Sequence, residues 1–309
     1  MRRYPSVFLS LFFCALLIFT AYVLLDTFVI VRRIETVSEP QTVSETVSEM
    51  PCLTQLAASQ QESSAEETIV TDNYYNDGTM SVTITEERVG DTTVYVADVQ
   101  LSSADQLKTA FADNTYGRNV TEPTSSIAAS VGAVLAINGD FYGSQQAGYV
   151  IRNGVLYRST GKSGAEDLVI YADGSLAIIQ ESQISAQELL EDGASNVLSF
   201  GPALVEDGEI TVSVNDEVGR AKASNPRTAI AVINELHYLF VVSDGRTSVS
   251  EGLSLYELAA FLQSKGVQTA YNLDGGGSST MVFLGKVVNN PTSSGRSTKE
   301  RSVSDIVYI

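Results

Sequence analysis

Four short polar stretches interrupt otherwise apolar, strand-like sequence and hold the side chains most able to do chemistry. They lie at residues 138–143, 225–228, 243–246 and 272–280. Each stretch follows or begins a predicted strand, and functional residues are commonly placed at such positions on a rigid scaffold. We therefore expect the four stretches to surround one pocket.

Three aspartates in these stretches are the candidate catalytic residues: Asp140, Asp244 and Asp274. One carboxyl group could protonate a leaving oxygen while another activates water or attacks a sugar carbon. The sequence requires no cofactor for this chemistry. The same oxygens could instead hold Ca²⁺ or Mg²⁺, which prefer hard oxygen ligands, and the sequence alone does not separate these two uses.

The other polar groups of the four stretches predict a site for phosphate. Arg227 and Arg246 carry planar guanidinium groups, which suit bidentate capture of phosphate or carboxylate. The triple glycine could let bare backbone approach a ligand, with successive N–H groups forming an anion-binding nest. The candidate substrate- and phosphate-binding residues are Asn138, Arg227, Arg246, Gly275, Gly276, Gly277, Ser278 and Thr280.

Each of these features also has a purely structural interpretation. The glycines could form a tight turn, and the arginines could be exposed partners of the many acidic residues. His237, the single histidine, is interpreted as a surface or packing residue because it lies outside the four stretches.

Composition excludes several classes of function. The 309 residues include 19 Lys and Arg against 37 Asp and Glu, for a formal net charge of −18. This charge argues against a nucleic-acid partner, because a polyanion would be repelled. Cys14 and Cys52 are the only cysteines, so a Cys/His zinc site is excluded.

The amino-terminal sequence predicts a membrane anchor followed by a spacer. The apolar run at 7–25 is about long enough to cross a bilayer, and a cleaved signal peptide is the alternative. We expect a cytoplasmic tip and transmembrane signal anchor at 1–33 and an acidic, Ser/Thr/Glu-rich stalk at 34–75. The protein would then be a single-pass protein of the cell membrane whose carboxy-terminal domain, 76–309, is extracellular.

The elements that must position the polar stretches predict an α+β domain with mixed, hairpin-rich β-sheets and a few packed helices. Asn153-Gly154 and Asp173-Gly174 are strong hairpin turns. Helices are predicted at 103–111, 125–131, 186–190 and 254–265. Strands are predicted at 79–88, 92–101, 133–137, 196–200, 227–233, 238–243, 269–273, 281–284 and 303–308.

Taken in order, the motifs resemble the phosphodiester glycosidase domain. The similarity covers about 131–309 and rests on the polar stretches together with Gly201-Pro202-Ala203-Leu204. It implies hydrolysis of a sugar–phosphate diester at a site built from Asp140, Arg227, Asp244, Arg246, Asp274 and the adjacent glycines.

The function predicted from the sequence is therefore a membrane-anchored extracellular hydrolase. Its substrate would be a glycosyl phosphodiester, a sugar-1-phosphate diester, in an envelope or extracellular glycan. The partners implied are this phosphate-linked glycan and, through the amino-terminal helix, the membrane. A non-catalytic glycan-binding or assembly factor in exopolysaccharide biosynthesis, and a metal-dependent phosphoesterase that cleaves the P–O bond, are the alternatives.

Overall fold

The computed structural model describes residues 4–36, 68–216 and 224–309, which contain four helices and 23 strands. The helices are α1 (Tyr4–Phe28), α2 (Thr124–Val131), α3 (Ala186–Glu191) and α4 (Leu255–Ser264). The strands are β1 (Arg32–Thr36), β2 (Ile69–Val70), β3 (Tyr74–Asn76), β4 (Met80–Val89), β5 (Thr92–Leu101), β6 (Lys108–Phe111), β7 (Thr115–Arg118), β8 (Glu122–Pro123), β9 (Leu135–Asn138), β10 (Val150–Arg152), β11 (Val155–Arg158), β12 (Glu166–Tyr171), β13 (Leu176–Gln180), β14 (Ala194–Leu198), β15 (Ala203–Glu206), β16 (Glu209–Ile210), β17 (Arg227–Asn234), β18 (His237–Ser243), β19 (Thr269–Asn272), β20 (Met281–Phe283), β21 (Lys286–Val287), β22 (Ser302–Val303) and β23 (Asp305–Tyr308).

Three sheets organise the domain. The largest has nine strands in the order β16-β15-β19-β17-β18-β5-β4-β3-β2. Two sheets of five strands have the orders β11-β10-β14-β12-β13 and β21-β20-β9-β23-β6, and two strand pairs, β1 with β7 and β8 with β22, complete the set. The fold is mixed α+β, as predicted. Strand pairs in the described part of the chain are antiparallel, where the sequence predicted mixed sheets, because short hairpins can join only antiparallel neighbours.

Alternating side chains give the nine-stranded sheet two buried faces. Along β18, Leu239 and Val241 point to the face that α4 covers. Tyr238, Phe240 and Val242 point to the opposite face, which packs against the two five-stranded sheets. This alternation follows from the two-residue period of a strand, so the sheet lies at the centre of the hydrophobic core.

Helix α4 forms where the sequence predicts it. Ser254 caps its first turn by accepting from the N–H of Glu257, whose side chain accepts in return from the N–H of Ser254. Leu258 and Leu262 lie on its buried stripe, and burial of each such side chain contributes about 1.5–3 kcal/mol. The helix covers the face of the nine-stranded sheet that lies opposite the two five-stranded sheets.

Local signals predicted the hairpins correctly but failed between 103 and 111. Both hairpins turn at their predicted Asn-Gly and Asp-Gly pairs, between β10 and β11 and between β12 and β13. The predicted helix at 103–111 is wrong. Ser103 caps only one turn, Ala104–Gln106, and β6 follows because it pairs with β23 at the far end of the chain. Tertiary pairing therefore outweighs helical spacing here.

The amino-terminal region, for which the sequence predicts an anchor and a stalk, is described only in part. In the described part of the chain, no helix combines the length and apolar character that crossing a membrane requires. Strand β1 pairs with β7, and β2 and β3 extend the nine-stranded sheet beside β4. The rest of the predicted stalk, 37–67, lies outside the described residues.

Candidate active site

The four polar stretches converge at one end of the central strands. Because β17 runs antiparallel to both of its neighbours, its first residue, Arg227, lies opposite Ser243 at the end of β18, and Ala229 lies opposite Asn272 at the end of β19. The remaining stretch follows β9 and is held here by the side chain of Asn138. The backbones of these four distant segments therefore lie next to one another, as the sequence predicts.

Asn138 is the cross-link between these segments. Its Nδ2 donates to the carbonyl oxygens of Asp274 (2.6 Å) and Gly139 (3.3 Å). Its Oδ1 accepts from the Thr228 hydroxyl (2.8 Å) and the Thr280 N–H (3.2 Å). The residue is fully buried. Although the sequence predicts that Asn138 binds phosphate, its side-chain donors and acceptors are all bonded to the neighbouring segments.

The triple glycine forms a tight turn against neighbouring segments. The Gly276 N–H donates to the carbonyl of Pro226 at 2.8 Å, and the N–H groups of Ser278 and Ser279 donate back to Gly275 and Gly276, both at 3.3 Å. One N–H group of the predicted anion nest, that of Gly276, is thus engaged within the protein, as are the N–H groups of the two serines that follow the glycines.

Close approach explains why the three positions are glycine. A Cβ at 275 would lie 2.9 Å from the Pro226 carbonyl oxygen, and one at 276 would lie 2.8 Å from Nη2 of Arg246. At 277 a Cβ would overlap the hydroxyl of Ser293. The turn is therefore built to bring Arg246 and Ser293 against its backbone, which is the structural interpretation that the sequence left open.

Asp274 lies beside an arginine that the sequence did not single out. Arg301 donates from Nη2 to Oδ2 of Asp274 (3.0 Å) and from Nε to the Ser278 hydroxyl (2.8 Å). Asp274 is only 8% exposed, whereas 43% of the Arg301 side chain remains exposed. Burial raises the pKa of Asp274 above its ordinary value, although Arg301 acts to lower it.

Arg246 lies on the same side of the glycine turn. Its Nε and Nη2 donate to Oδ1 of Asn225 at 3.2 and 3.1 Å, and Nη1 donates to the carbonyl of Ser293 at 2.8 Å. Partial burial and the nearby charge of Arg301 both lower the pKa of Arg246. Arg246 and Arg301 are therefore two positive charges that repel each other at a partly exposed position. An anion bound between them would be stabilised.

Asp244 and Arg227 border this cluster. Asp244 is buried, and its two oxygens accept from the N–H (2.8 Å) and the side-chain amide (2.9 Å) of Asn290, with Asn289 at 3.4 Å. Arg227 is buried as well, and its Nε donates to the carbonyl of Leu253 at 2.8 Å. Asp244 is thus held in a fixed orientation, and the Arg227 side chain is bonded to the segment that precedes α4.

Asp140 belongs to a second, sealed cluster. Its Oδ1 accepts from the N–H of Tyr142 (3.0 Å), and its Oδ2 accepts from the N–H of Ser199 (2.8 Å) and pairs with Arg152 (2.9 Å). Arg152 also donates to Oδ2 of Asp305 from Nε (3.0 Å) and Nη2 (2.7 Å). None of the side chains of this Asp140–Arg152–Asp305 network is more than 2% exposed.

The charges in the sealed network depend on one another. Burial acts to lower the pKa of Arg152, but Asp140 and Asp305 raise it above its ordinary value. Burial and the charge of Asp140 raise the pKa of Asp305, against the effect of Arg152. A buried ion pair needs such complete hydrogen bonding, because an unpaired charge there would be strongly destabilising.

The predicted site residues therefore divide into two groups. Asp274, Arg246, Ser278 and the glycines lie together, and Asp244 reaches them through Asn289, which donates to the carbonyl of Ser279 at 2.9 Å. The other three predicted binding residues, Asn138, Arg227 and Thr280, are buried, and Asp140 belongs to the sealed network.

Sequence reasoning missed Arg301, Arg152 and Asp305. Arg301 directly precedes β22, so the same strand-end criterion that selected Arg227 applies to it and could have found it. Arg152 ends β10 and Asp305 begins β23, but each is a single charged residue outside the polar motifs, so nothing else in the sequence singled it out.

A metal site was left open by the sequence. Within residues 4–36, 68–216 and 224–309, no three His, Cys, Asp or Glu side chains are grouped so that they could hold a metal ion.

Two solved structures share the fold. The zebrafish N-acetylglucosamine-1-phosphodiester alpha-N-acetylglucosaminidase catalytic domain, auto-inhibited by its pro-peptide, superposes with a TM-score of 0.60 at 22% identity, over 79% of this chain and 87% of that one. A hypothetical protein from Synechocystis superposes with a TM-score of 0.58 at 16% identity, over 74% and 62%.

Curated relatives and a family model match the carboxy-terminal part. The SPbeta prophage-derived uncharacterized protein YomE of Bacillus subtilis (strain 168) is 31% identical over 199 residues, which cover 63% of this chain and 30% of the relative. The N-acetylglucosamine-1-phosphodiester alpha-N-acetylglucosaminidase of Mus musculus is 29% identical over 182 residues, 53% of this chain and 34% of the relative. The chain thus spans about a third of the length of these relatives.

The model of the family described as phosphodiester glycosidase matches residues 131–309, which is more than half of the chain. The chain belongs to the phosphodiester glycosidase family, a family of hydrolases, as its ordered motifs predict.

Proposed function

We propose that this protein hydrolyses the glycosidic bond of a glycosyl phosphodiester and that the Asp274 cluster is its reacting centre. We define the Asp274 cluster as Asp274, Ser278, Arg246 and Arg301. The observation that carries the proposal is the pairing of one carboxyl group of raised pKa with two partly exposed guanidinium groups. This arrangement supplies what such a reaction needs on each side of the bond that breaks.

The arginines act on the phosphate side. A phosphodiester carries one negative charge, and it gains a second when the bond from the sugar carbon to the phosphate oxygen breaks. Arg246 and Arg301 therefore interact more strongly with the transition state than with the bound substrate, which is the condition for catalysis. The leaving phosphate is stabilised without a proton from the protein.

The carboxyl group acts on the sugar side. Asp274 would remove a proton from the attacking water or attack the sugar carbon itself. Asp244 is the second carboxyl group of the proposed site, held by Asn290. We assign Asp140 a positioning role in place of the catalytic role that the sequence suggested, because its oxygens are buried and accept from Tyr142, Ser199 and Arg152.

Relatives support this reaction and leave the substrate open. The relatives in Mus musculus, Bos taurus and Homo sapiens are named N-acetylglucosamine-1-phosphodiester alpha-N-acetylglucosaminidases. We propose the same class of bond for this chain, with no sugar specified. An envelope or extracellular glycan, such as an exopolysaccharide, stays a prediction from the sequence.

Replacement of Asp274 tests the proposal. Asp274→Asn should lower sugar release from a methyl glycosyl phosphodiester by about 10²–10⁴-fold, with the fold intact by circular dichroism. Asp91→Asn, at an exposed hairpin turn, is the matched control. Full activity of Asp274→Asn would remove this residue from the chemistry.

The products distinguish the remaining alternatives. Reaction in ¹⁸O-water should place the label in the sugar, since we propose attack at carbon. Label in the phosphate would show P–O cleavage, and binding of the diester without any release of sugar would favour a glycan-binding factor.

A further inference from the structure

Phe141 is an exposed aromatic residue between two buried ones. Asp140 and Tyr142 are 0% and 1% exposed, whereas Phe141 is 41% exposed. Its backbone has a φ of +73°, in the left-handed region that bulky residues rarely adopt. The chain therefore holds an unfavourable backbone conformation at the one residue of this segment whose ring faces solvent.

The surroundings of Phe141 are rigid. The Tyr142 ring stacks on Tyr116 and meets Phe111 edge-on, with centroid separations of 5.5 and 5.2 Å. On the other side, Asp140 is fixed by Arg152 and accepts from the N–H of Tyr142. Strained residues that a framework over-determines in this way are concentrated at ligand clamps and active sites.

Phe141 also lies close to the Asp274 cluster. The carbonyl of Gly139 accepts from the N–H of Asp274 at 3.2 Å, and the N–H of Gly139 donates to Asp305, in the segment that continues from Arg301. Phe141 is two residues beyond Gly139, a reach of at most about 7 Å along the chain. The exposed ring of Phe141 thus belongs to the segment whose backbone borders the proposed reacting centre.

We propose that the ring of Phe141 is the platform on which the sugar of the glycosyl phosphodiester stacks. This inference rests on the proposed function and adds a specificity-determining residue to it. The face of an aromatic ring carries partial negative charge, and the axial C–H groups of a pyranose are weakly positive and apolar. When the sugar stacks on this platform, its phosphate would point toward Arg246 and Arg301. A diester without a sugar would bind through the arginines alone.

A set of substitutions separates this role from a structural one. Phe141→Leu keeps an apolar side chain of similar size but removes the ring, and it should raise KM for methyl α-N-acetylglucosaminyl and α-glucosyl phosphodiesters about 3- to 10-fold. Phe141→Tyr, which keeps an aromatic ring, should leave KM near the wild-type value. Inhibition by dimethyl phosphate, which has no sugar, should be unchanged in both variants.

Two controls complete the test. Tyr256→Leu removes an aromatic residue that is 38% exposed on α4 and should leave KM unchanged. Phe141→Gly relieves the backbone conformation, so its Tm should not fall although its KM rises, an outcome that a merely structural role would not produce.

The outcomes distinguish this inference from the proposed function. Failure of the wild-type protein to release sugar from either glycosyl diester would overturn the proposed function and this inference with it. An active wild-type enzyme whose KM is unchanged in Phe141→Leu, or whose dimethyl phosphate inhibition weakens in parallel with KM, would overturn the sugar platform alone.

Discussion

Replacing Arg301 with alanine tests the charge balance of the Asp274 cluster. The change removes the hydrogen bonds from Nη2 to Asp274 and from Nε to the Ser278 hydroxyl. A hydrogen bond to a charged group contributes about 1.5–3 kcal/mol, and the low end applies because 43% of the Arg301 side chain is exposed to screening solvent. Loss of the phosphate contact adds to this, so we expect kcat/KM to fall about 10- to 100-fold.

The same change should move the pH dependence in a defined direction. Burial raises the pKa of Asp274 and Arg301 lowers it, so removal of the arginine lets the pKa rise further. If Asp274 acts as an ionised group, the acidic limb of the kcat/KM profile then moves to higher pH. Arg301→Lys keeps a positive charge but loses the planar fork, so its acidic limb should stay near the wild-type position while its rate still falls.

The assay is sugar release from a methyl glycosyl phosphodiester across the pH range, at constant ionic strength because exposed charges are screened by salt. Arg296→Ala, which removes another exposed arginine of the same loop, should leave both rate and profile unchanged. The reasoning would be refuted if Arg301→Ala kept kcat/KM within twofold of the wild type and left the acidic limb in place.

Two further predictions concern stability. Gly277→Ala should destabilise the protein by about 1–3 kcal/mol in urea denaturation, because its Cβ would overlap the Ser293 hydroxyl; addition of Ser293→Gly should recover most of the loss, and no recovery would show that packing against Ser293 is not the cause. Burial and the neighbouring carboxyl group of Glu181 raise the pKa of Asp167. The folded protein therefore keeps a proton that the unfolded chain loses above about pH 4, and stability should decline as the pH rises from there. Asp167→Asn, which resembles the protonated form, should flatten that decline by up to about 1.4 kcal/mol per pH unit, and a parallel decline in both proteins would contradict the assignment.

Local sequence signals were sufficient for the parts of the fold that local interactions determine. Asn153-Gly154 set its hairpin through turn chemistry, and Ser254 with Glu257 set the start of α4 through capping. The helix predicted at 103–111 failed because β6 pairs with β23, about 200 residues later in the sequence. No window of neighbouring residues contains that information.

The candidate site was predictable to the extent that its residues stand in motifs. Asp274, Arg246 and Ser278 come from polar stretches at strand ends, and the structure brings them together. Asp140 stands in an equally distinctive motif but faces Arg152, because its role depends on a partner that is an ordinary strand residue in the sequence. The burial of Arg152, which distinguishes it from the exposed Arg301 beside Asp274, is a property of the packed sheets and not of the motif.

The two carboxylate–arginine systems show how one set of residue types divides into support and chemistry. They lie on either side of Gly139, whose carbonyl and N–H bond to Asp274 and Asp305 respectively. Arg152 is 2% exposed and is satisfied by carboxylates and by the carbonyls of Ile151 and Val197, so it contributes rigidity. Arg301 makes a similar pair with Asp274 but keeps 43% of its side chain in solvent. In a protein with a net charge of −18, an anionic substrate is repelled by most of the surface, so we propose that it binds at the exposed arginines Arg301 and Arg246. In this proposal the sealed network fixes the segment around Gly139, and the exposed Arg301–Asp274 pair acts on the bound substrate.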